Sequence, residues 1–450
     1  MTRGTVIMVL LAALAVAGAV SMRPIELPPP TFEDTGEPLF PGFEDPNAAA
    51  FLEVKSYDKA SAQLTAFSVK LDHGRWVIPS HNNYPADGTE QMGKAAASFL
   101  GAKKDVVRSD DAKEHAKFGV LDPEDGSGAE EGLGQRVTIK DGSGSVLVDI
   151  IVGNDVPDRQ GYKFVRYPGE NRVYASELDP KISTKFVDWI EKDLLKLEED
   201  SIVALVSNSY KVDEQSGTVV DDSPVYLEKR DQGDFTDQGA PNVEWQLAAP
   251  PVFGPDGKLI DPATYTGDTP LPQAFPTPEG KELNPTKVKQ IISAADRLQI
   301  VGVRPQPEKL TAIDLLSKGF FVGGEPQRLF GNEGEVRLFC DDGVVYSLYF
   351  GEVTYATGVD LTAGSAGEKP DSVSEEENAR ANRFMFVDIG YDPTRDAKAG
   401  EPPAEGELRG KARAEALAQR FNRWYYVIPD SSFTQLHKLP ADFWRDAKAP

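Results

Sequence analysis

Two β-hairpins on one plan, near residues 140 and 340, constrain this fold more than any other feature. In the first, Arg136-Val-Thr-Ile-Lys140 and Val146-Leu-Val-Asp-Ile-Ile-Val152 flank the turn Asp141-Gly-Ser-Gly144. In the second, Glu335-Val-Arg-Leu-Phe-Cys340 and Val344-Val-Tyr-Ser-Leu-Tyr-Phe350 flank Asp341-Asp-Gly343. Apolar, β-branched and aromatic runs of this length around an Asp-Gly turn predict paired antiparallel strands.

The elements around the two hairpins recur in one order. In the first unit, residues 64–71 alternate in β fashion, and Asp72-His73-Gly74 turns the chain into Arg75-Trp-Val-Ile78. A helix follows, with Asp87 as cap, Glu90 completing a capping box, and Met92, Ala95, Ala96, Phe99 and Leu100 as its apolar stripe. Then come a further hairpin, 162–166 with 172–175, and a closing helix over 184–195 capped by Ser183. The second unit has strands at 225–228 and 243–247, so the Trp245 strand corresponds to the Trp76 strand. Its helix is capped by Asn284, has Pro285 in the first position, and carries Val288, Ile291, Ile292, Ala295 and Leu298. Strands at 383–388 and 424–427 and a segment at 431–437 close it. The expected fold class is α+β: two tandem repeats of β-hairpins plus capped helices.

Ahead of the repeats, residues 5–20 form a run without charge between Arg3 and Arg23. Its length just suffices for a bilayer core of about 30 Å. It reads as an N-terminal transmembrane anchor. A cleaved signal peptide is the alternative, since Ala15-Val-Ala17 and Ala17-Gly-Ala19 offer small-residue cleavage sites. The basic N-terminal flank keeps that end in the cytoplasm. The expected location is the inner membrane, single-pass, with the body in the periplasm or outside the cell.

The expected divisions are an anchor or signal segment at 1–23, a Pro-rich acidic stalk at 24–50, a first repeat at 51–200 and a second at 201–450. The second repeat carries a Pro-rich insertion at 249–283 and an acidic loop at 357–381, whose composition predicts disorder. An added helix within 401–419 has Leu408, Ala412, Ala416 and Leu417 as its apolar positions. The chain has 72 Asp+Glu against 48 Lys+Arg, a net charge of −24, which argues against nucleic acid and anionic lipid surfaces as partners. A single cysteine, Cys340, permits no internal disulfide and no thiolate zinc site, and its apolar strand predicts burial. Export without disulfides points to a bacterial envelope.

The order Arg75-Trp-Val-Ile78, Tyr84-Pro-Ala-Asp87, Phe118-Gly-Val-Leu-Asp-Pro123, Val148-Asp-Ile-Ile-Val-Gly153, Tyr162-Lys-Phe-Val-Arg-Tyr-Pro-Gly169 and Val173-Tyr174 resembles the bacterial domain of unknown function 4340 family. The resemblance covers residues 64–197 closely and the second unit loosely. It implies a membrane-anchored envelope protein, of a kind often found beside gliding-motility-type ABC transporters. The family carries no established catalytic residues to transfer.

Motifs for chemistry are sparse. His73, His81, His115 and His437 show no H-x-x-x-H or H-E-x-x-H spacing and read as surface residues. There is no G-x-S-x-G elbow, no P-loop and no G-x-G-x-x-G, and Asp231, Asp234 and Asp237 read as a solvated acidic loop. No catalytic residue, cofactor or metal is expected. Trp424, Tyr425 and Tyr426 put aromatic rings on both faces of one strand and are the candidate binding residues. The alternative for them is a strand buried on both sides. The expected function is non-enzymatic: a membrane-tethered envelope protein that binds an envelope or transporter protein. An exported carboxylate-dependent hydrolase acting on glycans is the alternative class.

Overall fold

The computed structural model describes residues 34–58, 63–125, 131–157, 159–213, 218–235, 241–250, 271–307, 309–323, 327–354, 381–397, 399–401 and 403–447, with Met8 and Val252. The apolar run at 5–20, apart from Met8, and the acidic loop apart from Ala381 lie outside the described residues. Among the described residues, no helix is long and apolar enough to cross a membrane.

The first half supplies β1 Ala49–Asp58, β2 Gln63–Asp72, β3 Arg75–Ile78, β4 Tyr84–Pro85, helix α1 Thr89–Ala97, β5 Val106–Ser109 and the single-turn helix α2 His115–Phe118. It continues with β6 Gln135–Asp141, β7 Val146–Asp155, β8 Tyr162–Arg166 and β9 Val173–Glu177. These strands form one sheet in the order β4-β3-β2-β1-β6-β7-β8-β9-β5, with every pairing antiparallel. The second half begins with β10 Ile202–Asn208, β11 Lys211–Asp213, β12 Thr218–Val220, β13 Val225–Phe235, β14 Pro241–Leu247 and β15 Lys281–Leu283. Then follow α3 Pro285–Asp296, β16 Gly302–Pro305, α4 Ala312–Leu316, β17 Phe320–Gly323, β18 Arg328–Gly331, β19 Glu335–Cys340, β20 Asp342–Thr354 and β21 Asn382–Asp396. Helix α5 Gly410–Phe421, β22 Trp424–Pro429, α6 Asp430–Leu436 and β23 Trp444–Asp446 complete the chain.

The second large sheet runs β14-β13-β10-β19-β20-β21-β22-β16. Leaving out β4, the first sheet matches it strand for strand, with α1 and α3 each placed between the third strand of its unit and the strand at the far edge. The two sheets share a further device. Gly153 in β7 and Gly351 in β20 each lie under a crossing backbone: a Cβ on Gly153 would sit 2.5 Å from the Phe118 carbonyl oxygen, and one on Gly351 2.2 Å from that of Lys318. The residues after those carbonyls, Gly119 and Gly319, both turn with positive φ, 70° and 77°. Only glycine permits both the close approach and the left-handed turn without strain.

Both sheets bury one face in a single continuous core. Leu52, Val54, Phe67, Val69, Val137, Ile139 and Ile150 belong to it from the first sheet, and Leu205, Val336, Leu338, Phe350, Met385 and Tyr426 from the second. The stripe of α3 is buried as its spacing predicts, and Asn284 accepts the Thr286 amide at 3.2 Å. On α1 the apolar stripe is right but the cap is not. Gly88 occupies the cap position without a side-chain bond, while the Asp87 amide donates to the Trp189 carbonyl at 2.8 Å. Gly88 lies tight against Trp76, whose Cγ would stand 3.1 Å from an added Cβ. Helix α5 buries Ala414, Leu417 and Phe421, so of the four expected apolar positions only Leu417 is covered, while Leu408, Ala412 and Ala416 are exposed.

Three segments differ from expectation. The stalk does not stay clear of the body: Leu39, Phe40 and Phe43 are buried in the core, and Tyr167 donates to the Leu39 carbonyl at 2.5 Å. Three large apolar side chains in five residues outweigh the flanking prolines. The Pro-rich insertion returns to the body at β15, which pairs with β23, and Phe275 stacks on Trp444 at 6.1 Å. The helix expected over 184–195 is absent apart from a short 3₁₀ turn, Phe186–Asp188. That segment is an irregular strap with Phe186, Trp189, Ile190, Leu194, Leu195 and Leu197 buried. Its backbone is satisfied largely from outside: the Asp87 amide donates to the Trp189 carbonyl at 2.8 Å, the Tyr346 hydroxyl to that of Leu195 at 3.0 Å, and Arg413 to that of Lys196 at 2.9 Å. External donors replace the helical ladder, as buried carbonyls require.

Candidate functional site

The aromatic strand is internal. Tyr425 and Tyr426 are fully buried and Trp424 nearly so. Tyr426 and Trp424 enter the shared core, while Tyr425 and Val427 point to the opposite face of the sheet among Leu315, Phe320, Tyr349 and Phe384. The expectation of exposed rings is corrected: β22 lies between β21 and β16 and is covered on both sides. Burial pushes the Tyr425 hydroxyl up to about 12 and the Tyr426 hydroxyl far above its ordinary value.

Trp424 instead serves the contact between the halves. Its ring meets Tyr84 of the first unit edge to face, with centroids 5.0 Å apart. Tyr84 also meets Phe186 at 5.4 Å, and Phe186 stacks on His81 at 4.6 Å. Two of the histidines read as surface residues are therefore buried. His81 fills this aromatic seam, and His115 holds the Asn171 carbonyl at 2.9 Å. His437 is half-buried on Phe433, and His73 is exposed in its turn. Burial lowers His81 and His437 to about 4, so both are neutral near pH 7. The four rings lie in four settings and do not converge. Cys340 is buried as its strand predicts, and burial raises its thiol to about 11. Asp231 and Asp234 lie exposed on β13 rather than in a loop, and Asp237 lies outside the described residues.

The surface that offers contact is built on α4 and β17. Thr311 and Asp314 form a capping box: the Thr311 hydroxyl accepts the Asp314 amide at 3.3 Å and the Asp314 carboxylate accepts the Thr311 amide at 3.1 Å. That cap fixes a one-turn helix which turns Leu315 into the small core with Phe320 and Tyr425. The same turn leaves Ile313 77 % and Leu316 50 % exposed. Val322, on the same face of its strand as Phe320, is 51 % exposed, and Leu310 ahead of the cap is 40 % exposed. Four large apolar side chains thus lie open within thirteen residues, with Lys309 and Lys318 next to them along the chain. Lys318 sits over the Tyr425 ring at 4.9 Å, whereas Arg328 lies over Phe330 on the other face of the β17–β18 ribbon. The sequence reading missed this patch. Its signal was the spacing of Leu310, Ile313 and Leu316, three residues apart, around Thr311-x-x-Asp314.

Two large antiparallel sheets on one continuous core, with a few short helices, define an α+β protein. The chain belongs to the domain of unknown function 4340 family, whose model matches residues 76–317, more than half of the 450. No curated protein and no solved structure matches it significantly.

Proposed function

We propose that this chain is a non-enzymatic, membrane-tethered envelope protein whose body captures a protein partner associated with an ABC-transporter-type system. The observation that carries the reading is the open apolar patch of Leu310, Ile313, Leu316 and Val322. Contiguous apolar side chains rimmed by polar ones mark contact sites for other proteins. Lys309 and Lys318 beside it, in a chain of net charge −24, fit a partner with an apolar centre and acidic surroundings. Family membership supports the envelope setting, and the run at 5–20 supplies the tether in the inner membrane.

The body itself is read as two tandem repeats. The matching strand orders and the paired glycine crossings at Gly153 and Gly351 support this reading. The test is capture of detergent-solubilised envelope proteins by wild type, Ile313→Asp and Leu316→Asp. Both variants are expected to lose the partner by about tenfold or more, as at an interface centre. Their melting temperatures should stay close to wild type, since exposed sites shift stability by only about 0.5 kcal/mol. Undiminished capture by both folded variants would remove the patch from the proposal.

A further inference from the structure

A groove of about 430 Å³ lies between α3 and α6 and is lined by Thr286, Lys289, Gln290, Ser293, Arg297, Gln435 and Lys438. It holds three cations and no carboxylate, in a chain that carries 24 more acids than bases. On α3 the lining residues fall at positions 286, 289, 290 and 293, with Arg297 at its C-cap, a spacing that keeps the four on one helix face. Lys438 reaches that face from the end of α6 and donates to the Thr434 carbonyl at 2.5 Å.

The cations are uncommitted. Among the described residues, Lys289, Arg297 and Lys438 make no ion pair, and neither does Lys287, which adds its charge beside Lys438. Arg297 spends only its Nε, on the Ser293 carbonyl at 3.2 Å. The nearby carboxylates among the described residues form no ion pair with these cations and accept hydrogen bonds from neutral donors instead. Glu199 accepts the Ser293 hydroxyl at 2.5 Å, and Asp442 accepts the Leu439 amide at 2.9 Å. Asp296, next to Arg297, lies in the field of Glu198, Glu199 and Asp193. Burial and the charge of Lys287 lower the Lys438 ammonium, and the charge of Asp442 offsets them only in part.

We infer that this groove binds a phosphate-bearing ligand through Lys289, Arg297 and Lys438. A guanidinium fork with two flanking ammonium groups suits the several oxygens of a phosphoryl group. The volume exceeds that of a phosphate alone and leaves room for the group that carries it. The inference stands apart from the apolar patch and does not depend on the proposed partner.

The test is calorimetric titration of the purified full-length protein. Inorganic pyrophosphate serves as the probe for a free phosphate group, and dihexanoyl phosphatidylglycerol, below its micelle concentration, as the probe for a lipid headgroup. Wild type is expected to bind at least one of them, and which one identifies the source. Arg297→Gln combined with Lys438→Gln should weaken binding by about tenfold or more, as for loss of charge-assisted hydrogen bonds. Lys289→Gln, at an exposed position where folding is not at stake, should weaken it in the same direction. If neither probe binds wild type, or if both variants bind as wild type does, the inference is wrong.

Discussion

Tyr84 and Trp424 meet edge to face with ring planes at 66°, although 340 positions separate them in sequence. Tyr84 opens β4, the short edge strand of the first sheet, and Trp424 opens β22 in the second. Their contact, continued through Phe186, His81, Phe67 and Trp189, welds the two sheets into one core. Aromatic pairs of this geometry contribute about 0.5–1.5 kcal/mol beyond the area they bury.

The strap should therefore govern the stability of both halves together. Trp189 is fully buried, packs against Phe67 at 5.7 Å and anchors the Ser183 carbonyl. Trp189→Ala is expected to cost about 3–5 kcal/mol. Urea unfolding followed by tryptophan fluorescence and by far-UV circular dichroism should show the loss in one transition. A loss under about 1 kcal/mol would mean that the strap does not bear on the core.

Stability should fall on acidification across a window set by two histidines. Unfolded imidazole takes up a proton near pH 6.5, whereas His81 and His437 do so only near 4, because burial disfavours the charged ring. Arg304 faces His81, while Arg383, Lys211 and Lys438 face His437, with Asp442 opposing them. Between those pH values the unfolded state binds the extra protons, so stability is full above pH 6.5 and declines toward 4. The slope is at most about 1.4 kcal/mol per pH unit for each histidine. His81→Phe keeps a ring against Phe186 and should flatten the slope of urea midpoints against pH. An unchanged slope would contradict the assignment.

The glycine crossings make a third test. Gly351→Ala places a methyl group 2.2 Å from the Lys318 carbonyl oxygen and close to the Phe320 ring. Overpacking of this kind costs about 1–3 kcal/mol. Gly142→Ala, in the exposed turn where nothing lies within 4 Å, is the control and should leave the melting temperature within error of wild type. Equal behaviour of the two variants would show that the crossing tolerates a side chain.

Local pattern carried far in this chain. The Asp141 and Asp341 hairpins, the Trp76 strand, the Asn284 cap and the buried stripe of α3 are all properties of short segments, and each forms where its own residues predict. The family likewise follows from an ordered series of such segments. The candidate site was far less legible. Trp424, Tyr425 and Tyr426 carry the same aromatic signal whether they face solvent or two cores, and only the neighbours β21 and β16 decide that they are buried.

The segment at 184–195 has the apolar spacing of a helix, yet donors from Asp87, Tyr346 and Arg413 take its backbone out of a helical ladder. Leu39, Phe40 and Phe43 read as part of a spacer until a pocket in the first sheet receives them. The sequence by itself determined which segments pair, turn and cap, because those energies arise between residues close along the chain. Tertiary structure alone decided which apolar residues are covered and which are left open on α4, because burial depends on contacts between residues hundreds of positions apart.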